Sequence, residues 1–331
     1  MALLEVEDLT VQLQTHRGPA YAVRNVGFTL DKGETLGLVG ESGCGKSITV
    51  MALMGLLPEN AVVTGSIRFD GEQLVGKSDR AMCAIRGDRI GMIFQEPMTA
   101  LNPVHTVGHQ VAEPLRLHRN MSRAQARTEA IRLLDRVGIP DAARRIDAYP
   151  HQFSGGQRQR ITIAMALACG PDLLVADEPT TALDVTIQRQ ILDLIRELVA
   201  ERGMALMLIS HDLGVIAQNV RRMLVMYGGS VVESGPTASV FANRMHPYTL
   251  GLFSARPGLH TAKGQRLATI PGTVPELVDL PPGCPFAGRC RFTIPDCHGT
   301  VPPPCEVEGG HLARCIRLDA VRADKEGAVA A

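Results

Sequence analysis

The sequence predicts an α/β fold on a mostly parallel sheet, with an antiparallel β subdomain, a helical subdomain and a small Cys/Pro-rich C-terminal extension. Short apolar runs, "TLGLV" (35–39), "LLVAD" (173–177) and "ALMLIS" (205–210), alternate with helix-length amphipathic stretches. That is the pattern of buried parallel strands joined by helices. Residues 4–14, 22–34 and 65–74 instead alternate apolar with polar side chains, as half-buried antiparallel strands do. Beyond about residue 255 the composition changes. Ten of the 21 prolines lie between Pro257 and Pro304, and five of the eight cysteines between Cys284 and Cys315.

Each element has a local reason. "LEVEDLTVQLQ" (4–14) and "AVRNVGFTLDKGE" (22–34) predict strands, and "GSIRFDGEQL" (65–74) adds a third with an Asp-Gly turn. The strand at 35–39 runs into a glycine loop and a helix from about Lys46 to Leu57. Ser122 and Gln125 form a capping box ahead of "ARTEAIRLLDRVG", a helix ending at Gly138. Residues 156–169 continue as helix and stop at Gly170-Pro171. In "VTIQRQILDLIRELVAERG" Ile187, Ile191, Leu194 and Leu198 share a face, with Asp184 as the cap. "RRMLVMYGGSVVESG" (221–235) reads as a hairpin around Gly228-Gly229. The C-terminal extension has few aliphatic residues at helical or strand spacing. It is therefore expected to need a staple in place of a core, with the cysteines as that staple.

Composition excludes some function classes. A chain of 331 residues with 45% hydrophobic content suggests two domains, or one large domain with an extension, and ample core. Lys+Arg and Asp+Glu are both 34, so no net charge draws the chain to nucleic acid. The opening "MALLEVEDLT" carries acids where a signal peptide needs a basic region, which predicts a cytosolic chain. The longest apolar stretch, 48–58, is far short of the ~20 residues a membrane helix needs. Membrane association is therefore expected through partners.

Two motifs carry chemistry on their own residues. "GESGCGKS" (40–47) matches G-x-x-x-x-G-K-S between a strand and a helix, the context of a P-loop NTPase with a RecA-like parallel sheet. Gly40, Gly43 and Gly45 let the backbone curl so that its N–H groups face phosphate oxygens. Lys46 supplies charge near the β/γ phosphates and the Ser47 hydroxyl a Mg²⁺ ligand. Glu41, Ser42, Cys44 and Ile48 complete the expected ATP-binding stretch. "LLVADEP" (173–179) ends a strand in two carboxylates, Asp177 suited to Mg²⁺ and Glu178 to polarising a water as general base. A third segment, "FSGGQRQR" (153–160), places serine and two glycines at a helix start, an anion site without a lysine.

In order, the lysine loop, Gln95, the S-G-G-Q of Ser154–Gln157, Asp177-Glu178, "TALD" (181–184) and His211 resemble the nucleotide-binding subunits of ABC transporters. The resemblance covers residues 1 to about 255, with a helical subdomain at about 96–165. It implies a head-to-tail pair of ATPase subunits, each ATP lying between one lysine loop and the other subunit's S-G-G-Q helix. Ser154, Gly155, Gly156 and Gln157 would then bind the partner's nucleotide, which explains the missing lysine. It also implies that Gln95 senses the γ-phosphate and metal, that His211 holds the γ-phosphate and orients Glu178, and that Asp184 lies at the dimer interface. Phe153 stands where leucine is usual, and the "TALD" stretch replaces a commoner serine form. For the aromatic expected to stack on adenine, "QTHRGPAY" (14–21) offers His16 and Tyr21, of which Tyr21 is the candidate. Non-transport ABC ATPases usually carry two cassettes or a long coiled-coil insert; here 107 residues separate Lys46 from Ser154.

"FQEPMTALNPVHTVGHQVAEPL" (94–115), "RMHPYTLGLF" (244–253) and "GCPFAGRC" (283–290) extend the resemblance to the D-type ATPase subunits of oligopeptide and dipeptide importers. Such importers combine two ATPases, two membrane permeases and an extracytoplasmic binding protein, and some members carry nickel or glutathione. The resemblance implies a peripheral protein at the cytoplasmic face of the membrane, with an importer-type extension at 256–331. The extension's cysteines, spaced C-x5-C-x6-C-x7-C-x9-C, contain no C-x2-C pair. Four thiolates suit a [4Fe–4S] cluster or tetrahedral zinc. The family's tail matches at Cys284, Cys290, Cys297 and Cys315, which implies a [4Fe–4S] cluster there, with Cys305 as the alternative fourth ligand. Cys44, inside the phosphate loop, reads as a small packing residue, whose position at the phosphate site is expected to leave it open to alkylation.

Overall fold

The computed structural model describes residues 2–181, 183–255 and 269–329. In chain order its strands are β1 (Leu4–Thr15), β2 (Gly18–Leu30), β3 (Thr35–Val39), β4 (Val62–Phe69), β5 (Glu72–Gln73), β6 (Ile90–Ile93), β7 (Leu173–Asp177), β8 (Ala205–Ser210), β9 (Arg222–Tyr227), β10 (Ser230–Pro236), β11 (Cys305–Glu308) and β12 (His311–Ala313). Its helices are α1 (Lys46–Met54), α2 (Asp79–Cys83), α3 (Pro97–Ala100), α4 (Val107–His118), α5 (Arg123–Arg136), α6 (Ala142–Arg145), α7 (Gly155–Ala166), α8 (Val185–Arg202), α9 (Leu213–Asn219), α10 (Thr237–Ala242), α11 (Pro247–Ser254), α12 (Asp296–Gly299) and α13 (Leu318–Val329). The chain divides into two compact units. One comprises Met1–Leu4, Leu30–Thr35 and Phe69–Ile209, the other Glu5–Thr29, Leu36–Arg68 and Ser210–Ala331.

In the first unit β6, β7 and β8 lie side by side and parallel, Ile90 opposite Leu173 and Leu173 opposite Ala205. Every residue of β7 and β8 is buried, which is why both read as unbroken apolar runs. Helices α3 to α7 supply the helical part, α4 packing on α5 and α7. The capping box is present, Ser122 accepting from the Gln125 backbone while the Gln125 side chain accepts from the Ser122 backbone. Helix α8 starts on Asp184 and ends where Gly203 turns left-handed (φ 61°).

In the second unit β2, β1 and β4 lie side by side in that order, and another run of paired strands is β11-β12-β10-β9-β3. Strand β3 pairs parallel with β9, whereas β9 and β10 form an antiparallel hairpin. Gly228 and Gly229 both take positive φ at its turn, as a two-residue hairpin requires. Helix α1 stops at Met54, short of the expected Leu57, because Gly55 turns left-handed and donates to Ala52 and Met51 carbonyls.

The extension departs from expectation. It shares a small apolar core with the segment before it: Ala313 and Val321 are fully buried with Met245, and Leu250, Phe292, Val307 and Leu318 pack around them. Strand β12 pairs antiparallel with β10, and β11 with β12. Sequence spacing missed this because the apolar residues come from separate short elements.

A buried carboxylate organises that junction. Glu233 of β10 accepts the backbone N–H groups of Met245 (2.6 Å) and His246 (3.0 Å) and meets His311 Nε2 at 2.7 Å. His246 in turn caps α11, its Nδ1 accepting from Tyr248 N at 3.1 Å, so that nitrogen must be unprotonated. Burial pushes the His246 imidazole down to about 4, against the opposing pull of Glu233. A folded-state value below the unfolded one means stability is full above the unfolded value and is lost as pH falls toward 4. This group should remove about 2 kcal/mol between pH 7 and pH 5. In His246→Asn, which keeps a capping acceptor but does not titrate, the drop in urea midpoint over that interval should shrink measurably.

Candidate nucleotide site

The phosphate loop lies in the second unit, at the end of buried strand β3. Gly45, left-handed at φ 102°, is the residue before α1, so the loop delivers its N–H groups at a helix N-terminus. Lys46 is 5% exposed and its ammonium donates to the carbonyls of Gly40 (2.8 Å) and Glu41 (3.0 Å). The cation is thus held inside the loop on acceptors that an anion can outbid. Neighbouring backbone dictates the glycines. A Cβ on Gly45 would lie 2.5 Å from the Ala22 carbonyl oxygen, and one on Gly40 would lie 2.3 Å from that of Met226. The hairpin turn pins the loop through Gly229 N donating to the Cys44 carbonyl, 3.1 Å. Ser42 and Gly43 are exposed, while Ser47 and Ile48 are half-buried at the start of α1.

Cys44 packs as a small residue, and only its expected openness to alkylation is corrected. Its side chain is fully buried, and burial pushes the thiol up against the pull of Lys46. It is a packing residue that stays a thiol, and alkylation at this loop is not supported. Tyr21, in β2, is 45% exposed and adjoins Ala22, the residue that abuts Gly45. His16 is also exposed, in the turn before β2. His211 follows β8 and is exposed; its neighbour Asp212 caps α9 by accepting from Gly214 N at 2.6 Å.

The carboxylates lie in the first unit. Asp177 is buried at the end of β7. Glu178 follows with a left-handed backbone (φ 47°), a conformation costing a glutamate on the order of 1–3 kcal/mol and concentrated at functional sites. Its amide donates to the Ile209 carbonyl at 3.0 Å, which fixes that turn. Its Oε2 accepts from Gln95 Nε2 (3.2 Å) and Thr181 Oγ1 (2.9 Å). The fold thus joins Gln95 to Glu178 across 83 positions. The sequence marks Thr181 only as the first residue of the "TALD" stretch, without a contact to Glu178. Its signal is the i+3 spacing from Glu178, closed by Thr181 N donating to the Glu178 carbonyl.

The S-G-G-Q segment forms the start of α7. Ser154 and Gln157 make a reciprocal capping box, and Ser154 and Gly155 are exposed. Gly156 has a packing reason as well, because a Cβ there would stand 2.9 Å from Ile187 Cγ2 of α8. Phe153 is buried with the Arg145 guanidinium 4.1 Å from its ring centroid, so the aromatic variant is accommodated. Asp184 caps α8, accepting from Thr186 N and Ile187 N, each at 3.0 Å.

Cys284, Cys290, Cys297 and Cys315 line one small cavity in the second unit, and Cys305, on β11, is not among its lining residues. A backbone bond from Cys284 N to the Cys297 carbonyl (2.8 Å) ties two of the segments together. Burial, then the neighbouring thiols, push Cys284 up to about 11; burial pushes Cys315 to about 11 and raises Cys290. Among the described residues no three His, Cys, Asp or Glu side chains stand close enough together to hold a metal ion.

Residues 23–181 match the ABC transporter family, and residues 232–297 match the oligopeptide/dipeptide transporter C-terminal region. A Brucella abortus protein named for peptide import and ATP binding is 50% identical over 333 residues, spanning 97% of this chain and 98% of that protein. The chain belongs to the ABC transporter ATP-binding proteins. Oligopeptide transport ATP-binding protein OppD of Salmonella typhimurium is 49% identical over 316 residues, covering 95% of this ABC protein and 93% of OppD. Among solved structures, the dimeric ATP-binding cassette MJ0796 in a post-hydrolysis state, bound to ADP and Pi, superposes with a TM-score of 0.64 at 29% identity. It covers 71% of this chain and 98% of its own. The ABC cassette fold and the ATPase class follow.

The glycine geometry gives a graded expectation for the ABC loop. Gly43 is left-handed (φ 79°) but an added methyl there would meet nothing within 4 Å, whereas one on Gly45 would strike the Ala22 carbonyl. Gly45→Ala should weaken ATP binding by at least about tenfold, and Gly43→Ala distinctly less. Equilibrium binding of ATP to both full-length variants measures the difference.

Proposed function

We propose that this ABC ATPase binds MgATP and, paired head to tail with a second ATPase subunit, hydrolyses it to power import of di- and oligopeptides through two membrane permeases. An extracytoplasmic binding protein would deliver the cargo. The observation that carries the peptide reading is the similarity of residues 232–297 to the oligopeptide/dipeptide C-terminal region, on a chain about half identical to peptide-transport ATPases over nearly its full length. Among the described residues no helix is long and apolar enough to cross a membrane. That is compatible with a peripheral subunit docked at the cytoplasmic face. We take residues 1–255 as the cassette and 256–331 as the importer-type extension.

Within this reading residues 40–48 cradle the phosphates, Lys46 leaving the Gly40 and Glu41 carbonyls for the β/γ oxygens. Ser47, Gln95 and Asp177 would hold Mg²⁺, which when bound neutralises charge on the β- and γ-phosphates. Glu178 orients and deprotonates the attacking water, with Gln95 and Thr181 fixing its carboxylate. His211 contacts the γ-phosphate, and Tyr21 stacks on adenine. Ser154, Gly155, Gly156 and Gln157 receive the partner's nucleotide, with Asp184 at the dimer interface. ATP then closes the pair, hydrolysis releases it, and the permeases follow.

For the extension, the four-thiol set at one buried cavity fits a [4Fe–4S] cluster in donor type and number, with zinc as the rival. The thiols would have to draw closer and lose their protons to ligate it. Held there, the cluster would supply a redox-active or cross-linking centre.

Glu178→Gln in the assembled transporter should lower ATP turnover by about 10² or more while ATP binding persists. Turnover close to that of the unaltered complex would remove Glu178 as the base. Anaerobically purified protein should carry about four irons and four sulfides per chain. A Cys284→Ser/Cys290→Ser variant should lose both, and one zinc or no metal would overturn the cluster.

A further inference from the structure

Glu41, which follows the first glycine of the phosphate loop, is gripped at three places. Its backbone N–H donates to the Tyr248 hydroxyl at 2.8 Å, and its carbonyl accepts from Lys46 Nζ at 3.0 Å. Its carboxylate meets a two-pronged guanidinium, Oε2 to Arg289 Nη1 at 2.9 Å and Oε1 to Nη2 at 3.3 Å. Arg289 comes from the extension, 248 positions away, and its side chain is only 7% exposed.

The arginine is itself over-determined. Nε donates to the Pro271 carbonyl at 2.9 Å, and Nη1 also reaches the Tyr227 hydroxyl at 3.3 Å. The guanidinium stands beside Tyr227 and Phe286, whose rings pack edge to face at 5.1 Å. A guanidinium fixed by carbonyls and rings is a stationary countercharge, unlike a mobile surface cation.

We propose that Arg289 is a positioning residue for the phosphate loop, neutralising Glu41 and holding its carboxylate away from Lys46 and the incoming ATP phosphates. Unclamped, that carboxylate would repel a polyphosphate. It would also compete for the ammonium that already rests on the carbonyl of the same residue. The extension would thereby become part of the ATP site. The proposal rests on residues 40–47 being the phosphate loop, and Lys46→Ala checks that separately.

The experiment is equilibrium binding of ATP to the full chain, with Mg²⁺, in a double-mutant cycle. Arg289→Ala should weaken binding about tenfold, about 1.4 kcal/mol. In a Glu41→Gln background the same substitution should cost less than about twofold, since the charge it leaves exposed is gone. In the assembled ATPase, Arg289→Ala should raise KM for ATP about tenfold and leave kcat within about twofold. An Arg289→Ala effect below about twofold overturns the proposal. So does an equal loss in both backgrounds, because the arginine would then act only through folding of the extension. If Lys46→Ala binds ATP normally, the loop assignment fails and takes this role with it; normal Arg289→Ala binding beside a defective Lys46→Ala removes this role alone.

Discussion

Backbone N–H groups that converge on an anion leave no room for side chains behind them, and that constraint governs the second unit. The Ala22 carbonyl on one side and the Met226 carbonyl on the other close on Gly45 and Gly40. Strands β2 and β9 are therefore part of the phosphate loop's wall as much as of their own sheets. The hairpin turn at Gly228-Gly229 sits against the Cys44 carbonyl for the same purpose. Because these partners are main-chain atoms, the loop's shape survives most side-chain changes around it and is lost to a single added methyl at Gly40 or Gly45.

Much of this was legible in the sequence, for local reasons. The strand–loop–helix context of residues 35–54, the caps at Ser122 and Asp184 and the glycine turn of the β9–β10 hairpin all depend on neighbours within a few positions. Motif order was enough to nominate Gln95 and Glu178, which the fold joins directly. The misses were of another kind. The apolar core made by Met245, Ala313 and Val321 arises from segments far apart in the chain. Thr181 was visible only as the first residue of the "TALD" stretch, because a threonine in a turn is ordinary until its hydroxyl is seen on a carboxylate.

The extension illustrates how a proline-rich segment with little regular structure acquires order. Glu233 offers a buried carboxylate to two backbone amides and one histidine, fixing the approach to α11 and the strand β12 with one side chain. Unpaired, such a carboxylate would be prohibitive; with each oxygen engaged it becomes an anchor. The thiol cavity lies in the same region, where burial keeps Cys284 and Cys315 protonated near neutral pH. Order there begins with hydrogen bonds and apolar contacts.

The left-handed turn at Glu178 has an outcome for anyone selecting hardier versions of this chain. Glycine adopts that conformation freely and asparagine nearly so, whereas glutamate is held there against its preference. Library screens scored only for resistance to heat or protease would therefore enrich small residues at position 178, returning sturdier proteins stripped of the carboxylate that Gln95 and Thr181 grip.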